Sequence, residues 1–171
     1  ATAAGVSNPQ TINVSHLPEF REEGGTSMEN PRALTLPFAV TAKIGGGAET
    51  DFYRFAAKKD QRIVLEVLAQ RIGSQLDSSL VVFDKTGREL ARNEDAVLND
   101  SVLEFVAPED GEFIAQIRDY RMRGGDDFKY RLLAGAMPYV LEAFPYGGRR
   151  GEMTTVDLRG YNLQGAEKMS L

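Results

Sequence analysis

The chain has 171 residues, enough for one complete domain with its own core and flanking pieces of others. Its 20 basic and 25 acidic residues give a net charge of −5, spread in mixed sign, which argues against the basic footprint of a nucleic-acid binder. The absence of cysteine removes disulfide frameworks, thiolate-bound zinc and thiol nucleophiles together, and no apolar run approaches the roughly 18 residues of a membrane-spanning helix, so no membrane insertion is expected.

The opening "ATAAGVSNPQ" has no Met, the form of a processed secreted protein or of a piece of a longer chain. Residues 1–33 continue through "LPEFREEGGTSMENPR" with little apolar periodicity and read as an extended linker that packs on the edge of a neighbouring β-sandwich. His16, the single histidine, sits there in "NVSHLPEF" without a recognisable acid or nucleophile partner, and no G-x-S-x-G elbow exists anywhere.

From Phe38 to Ala134 the apolar residues recur with period two, and no helical spacing persists for three turns. "DFYRFAA" places Tyr53, Phe55 and Ala57 on one face, and "QRIVLEVLAQ" does the same with Ile63, Leu65, Val67 and Ala69. "SSLVVFD" and "RELAR" flank the turn "DKTG", in which Asp84 can bond the turn backbone and Gly87 can adopt the left-handed conformation, so this reads as a hairpin. The loop "NEDAVLND" gathers Asn93, Glu94, Asp95, Asn99 and Asp100, which are the ordinary residues of turns; it lacks the glycine and closing glutamate of an EF-hand. "SVLEFVA" aligns Leu103 with Phe105, "EFIAQI" aligns Phe113, Ala115 and Ile117, and "FKYRL" aligns Phe128, Tyr130 and Leu132.

"RDYRMRGGDDFKYRL" raises the question of a charged active loop. Alternating strands flank it, and Gly124–Gly125 permits a reversal, so a strand connection is the simpler reading. Its alternative is a binding surface for a polysaccharide or protein made by Tyr120, Arg121 and Arg123, residue types that suit interfaces. Adjacent residues on one strand point to opposite faces, which argues against Asp126 and Asp127 as a glycosidase pair. The aromatic residues follow the alternation and belong to the core, and the lack of Trp weighs against a sugar-stacking module.

About eight strands fit between Leu34 and Ala134, which predicts an all-β, jelly-roll-like antiparallel sandwich over residues 34–136. Residues 137–171, with "PYGGRRGEMTTVDLRGYNL", read as the start of a second β domain.

These residues also carry a resemblance. The stretch "AETDFYRFAAKKDQRIVLEVLAQRIGSQLDSSLVVFDKTGRELARNEDAVLNDSVLEFVAPEDGEFIAQIRDYRMRGGDDFKYRLLAG" resembles the bacterial pre-peptidase C-terminal (PPC) domain, whose pattern runs D-x-[FY]-x-F, "LDSxLxxxDxxGxxL", "NDD", "APxDGxYxxxVRD" and a closing "YRL". It looks most like the versions in large secreted proteins of planctomycete-like bacteria, and the tail is similar to the opening of an IPT/TIG immunoglobulin-like domain.

The resemblance implies a non-catalytic sandwich outside the cytoplasm: extracellular, periplasmic or at the cell surface. Its role would be to space, stabilise or attach neighbouring domains of the same polypeptide. It also implies a second possibility, a calcium-dependent binding module for an extracellular polysaccharide or protein. Collagen-binding relatives hold calcium where an acidic linker meets the first strand. The matching positions are Glu29, Asn30 and Asp51, with Glu49 as a substitute donor, whereas Pro31 replaces the motif's Asp and Ala48 an acidic residue.

Overall fold

The computed structural model describes Gly5 and residues 12–170. Strands β3 (Phe38–Lys43), β4 (Thr50–Ala57), β5 (Arg62–Leu68), β6 (Ser78–Asp84), β7 (Glu89–Asn93), β8 (Val102–Val106), β9 (Gly111–Asp119) and β10 (Lys129–Gly135) form the body. Two short strands precede them, β1 (Glu19–Arg21) and β2 (Arg32–Ala33), and three come after: β11 (Tyr139–Phe144), β12 (Thr155–Tyr161) and β13 (Lys168–Ser170).

The strands up to β10 divide into two five-stranded sheets, ordered β1-β3-β10-β5-β8 and β2-β4-β9-β6-β7. Pairing is antiparallel except at β1–β3 and β2–β4. The architecture is the expected β-sandwich. The alternation explains it: the side chains placed on one face from Tyr53 to Leu132 all enter a single core between the sheets. At its heart Phe105 meets Phe113 with ring centroids 4.8 Å apart, and Phe55 packs at 6.2 and 6.1 Å from them.

The segment before residue 34 supplies the parallel edge of each sheet. Crossing from β1 to β2, it straps over the side where β3 and β4 lie. Gly25 fits against β4: its carbonyl accepts the Phe52 N–H at 2.6 Å. A Cβ there would lie 2.7 Å from the Phe52 oxygen at a φ of +81°, so only glycine is accommodated. Arg131, nearly buried on the outer face of β10, bonds Asn13, Ser15 and Glu19 of the strap. Nearby, Leu17 covers a small outer apolar cluster of Ala39, Leu68 and Leu133.

The hairpin at "DKTG" forms as expected. Asp84 Oδ1 accepts from the Thr86 N–H, the Thr86 hydroxyl and the Arg88 N–H, with Gly87 at a φ of +84°. These bonds, led by the Thr86 hydroxyl, hold the Asp84 carboxyl down at about 2. Strands β11, β12 and β13 form a separate antiparallel sheet.

Candidate functional site

The strap and the β3–β4 corner bring three carboxylates together. Glu22 lies just past β1, whose parallel register sets Arg21 against Thr41. Its N–H donates to the Thr41 carbonyl, and its Oε2 accepts the Lys43 N–H at 3.1 Å. Glu49 sits in the β3–β4 loop, where Oε2 accepts the Gly46 N–H at 2.7 Å. Asp51, on β4, is fully buried. Carboxylate oxygens of Glu22, Glu49 and Asp51 lie within 4.8 Å of one another.

Asp51 is held from the core side. Tyr130 on β10 donates its hydroxyl proton to Asp51 Oδ2 at 2.6 Å, and the Tyr53 and Tyr130 hydroxyls share a hydrogen bond of 2.7 Å. The other oxygen, Oδ1, is buried without a hydrogen-bond partner among the described residues. Burial is the main force that raises the Asp51 carboxyl to about 7; the Tyr130 bond opposes it, and the charges of Glu22 and Glu49 add to it. Both tyrosines are pushed above their ordinary range by burial and by this carboxylate. The nearby Lys43 ammonium is turned to Asp126 at 2.7 Å.

An all-oxygen set with an unpaired buried donor suits a hard divalent cation such as Ca²⁺, and offers no soft ligand for thiophilic metals. Of the residues singled out from the sequence, Asp51 and Glu49 fall in this cluster, and Glu22 was not among them. Glu29 and Asn30 lie elsewhere, exposed in a turn where the Asn30 N–H bonds Ser27. Glu29 is not among the carboxylates that converge on Asp51.

The 118–128 loop is built around Asp119, which is fully buried. Burial works against its charge, but Arg123 and the N–H groups of Asp77, Arg121 and Arg123 overcome it and leave the carboxyl below its ordinary value. Arg123 is therefore committed: it bonds Asp119 and lies over the Phe128 ring at 5.3 Å. Tyr120 and Arg121 face solvent. Gly124 packs against the β3–β4 loop so tightly that a Cβ would meet the Gly46 oxygen at 2.1 Å. The stretch is a strand connection locked from within.

Asp100 plays the same part in the loop before β8. Fully buried, it accepts the N–H groups of Ala69, Gln70 and Arg71 and pairs with Arg71 Nε at 2.7 Å. The Arg71 guanidinium also meets Glu66 at 2.9 Å and reaches Tyr139 Oη at 3.5 Å, where the C-terminal sheet begins. His16 is exposed on the strap.

The sandwich is the fold of a pre-peptidase C-terminal domain. It superposes on that domain of a collagenase from Bacillus anthracis with a TM-score of 0.50 and 20% identity, covering 61% of this chain and 94% of the other. Among curated proteins, a probable subtilase-type serine protease from Deinococcus radiodurans is 37% identical over 87 residues, 48% of this chain and 12% of that protein's length. The chain thus spans only a small fraction of that relative. PliG from Aeromonas hydrophila, a periplasmic inhibitor of g-type lysozyme, aligns with a TM-score of 0.45 and 17% identity over 62% of this chain and 98% of the inhibitor. No family model matches the sequence.

Proposed function

We propose that this chain is a non-catalytic accessory domain of a larger secreted or cell-envelope protein, working by surface contact to space, stabilise or attach its neighbours. The observation that carries the reading is how its buried charges are used. Asp100 and Asp119 are each saturated by backbone N–H groups and an arginine, so they build loops rather than chemistry. The match to a short part of a much longer protease agrees with a module carried beside a catalytic domain.

On this reading residues 137–171 are the opening strands of an IPT/TIG-like immunoglobulin domain, and the partners are neighbouring domains in the extracellular, periplasmic or cell-surface space. Among the described residues no helix is long and apolar enough to cross a membrane. A screen of the 171-residue chain against peptide and glycoside substrates tests the proposal. No turnover above buffer is expected; saturable turnover lost in Asp51→Asn would end it.

A second reading, a calcium-dependent binding module for an extracellular polymer, is favoured by one feature: the orphaned Asp51 Oδ1 beside Glu22 and Glu49. These three residues would hold the ion, which would offset their mutual repulsion and join the strap to β4. Calorimetric titration with calcium at about pH 8, above the Asp51 titration, should show saturable heat that disappears in Glu22→Gln. At a hundredfold excess over Kd the ion should add about 2.7 kcal/mol of stability. Absence of heat in the unmodified chain removes this reading and leaves the spacing role intact.

A further inference from the structure

We infer that the free edge of β8 pairs antiparallel with β8 of a second copy of this chain, so that two sandwiches share one continuous sheet. The edge strands of the sandwich are β1, β8, β2 and β7, and they are guarded unequally. β1 and β2 are three and two residues long. β7 carries Glu89 and Arg92 and pairs with β6 through an irregularity between Val82 and Phe83. Short length, charge and irregular pairing all keep an edge from taking up another strand. β8 has five residues in unbroken register with β5, no proline, and a single charge, Glu104, which Arg62 neutralises at 2.9 Å.

The ladder to β5 shows which backbone groups are left over. Ala107 donates its N–H to Gln61, and the Ser101 carbonyl accepts from Val67, so the odd-numbered residues of β8 face β5. The even-numbered ones therefore point outward. The Val102 N–H is held by Asn93 Oδ1 at 2.9 Å, whereas the N–H and C=O groups of Glu104 and Val106 have no partner among the described residues. Val106 is also 41% exposed.

These limits select the register. With Glu104 of one copy opposite Val106 of the other, a twofold pairing satisfies all of the free groups at once. The next outward pair would set Val102, whose N–H is already bonded, against Pro108, which has none, so the window closes at both ends without orphaning a donor. A register centred on Glu104 would instead set two carboxylates side by side. A groove of about 230 Å³ between β7 and β8, lined by Leu90, Ala91, Phe105, Val106 and Pro108, runs beside this edge. A second copy brings the same groove, apolar against apolar, so the pairing buries side chains as well as joining backbones. The edge lies on the flank opposite β1 of the strap and does not involve the Asp51 corner.

Sedimentation of the intact 171-residue chain from about 10 μM to 1 mM tests this. About 0.15 M salt screens the net charge of −5 on each copy beyond about 8 Å. A reversible monomer–dimer equilibrium is expected. Across the same concentrations amide exchange at Glu104 and Val106 should slow severalfold, while Leu103 and Phe105, turned to β5, stay protected throughout. Val106→Pro removes an outward donor without touching the β5 ladder. Val106→Glu keeps that donor and sets a carboxylate opposite Glu104 of the other copy. Each should raise the dimer Kd at least about tenfold. A chain still monomeric at about 1 mM overturns the proposal. So does a dimer that leaves the Glu104 and Val106 amides as fast as in the monomer, or one that both variants leave intact, because its interface then lies elsewhere. Neither result touches the accessory or calcium readings.

Discussion

The sandwich and the three-stranded sheet beyond it are made of similar strands, yet they treat their apolar side chains in opposite ways. In the sandwich Tyr53, Phe55, Phe113 and Tyr130 are all within 2% of complete burial, because each sheet faces another. In the C-terminal sheet and its loops Val156 is buried, while Phe144 is 59% exposed, Tyr146 81% and Met153 82%. Hydrogen-bonded register alone does not create a core; a second layer does. The first region is therefore stable by its own packing, and the second depends on what it leans against, chiefly the joint at Arg71 and Tyr139.

Substitutions sharpen that contrast. Phe113→Ala should cost about 3–5 kcal/mol in urea unfolding, as expected for a core aromatic. Phe144→Ala in the outer sheet should change stability by no more than about 0.5 kcal/mol. Equal costs at the two positions would erase the distinction.

The Asp51 corner gives the next largest effect. Its carboxyl titrates near 7 when folded and near its ordinary 3.8 when unfolded. Between these values the folded chain keeps a proton that the unfolded chain has released. Stability should then fall as pH rises from about 4 to 7, by at most about 4 kcal/mol. Urea unfolding across that range without divalent ions measures the slope, and Asp51→Asn should flatten it.

Arg71→Met removes the cation beside buried Asp100 but leaves its three backbone donors. A loss of about 2 kcal/mol is expected. The same change should loosen the C-terminal sheet, seen as independent tumbling of residues 139–170 in NMR relaxation. Unchanged relaxation would show that the joint lies elsewhere.

Much of the fold was legible in the sequence where a local rule governs. Period-two alternation is local, so the inner faces from Tyr53 to Leu132 were readable residue by residue, as was the Asp84–Gly87 turn. Glu22 was not, because its place depends on a parallel pairing between β1 and β3 that leaves no mark in "FREEGG". There it looks like any solvated charge. Arg123 looked available for binding for a related reason: its partner, Asp119, is close in sequence, but nothing local says that this carboxylate is buried. Leu17, in an apparently featureless strap, covers Leu68 and Leu133 on the outer face of a sheet whose outward side ordinarily faces water.

Amide hydrogen exchange along the intact chain bears most directly on the division between a self-sufficient sandwich and a dependent sheet. Amides of β5, β9 and β10 should exchange only through global unfolding, and those of β11 to β13 orders of magnitude faster through local opening. If β12 amides are protected as strongly as those of β9, the C-terminal sheet has a core of its own and that division is wrong.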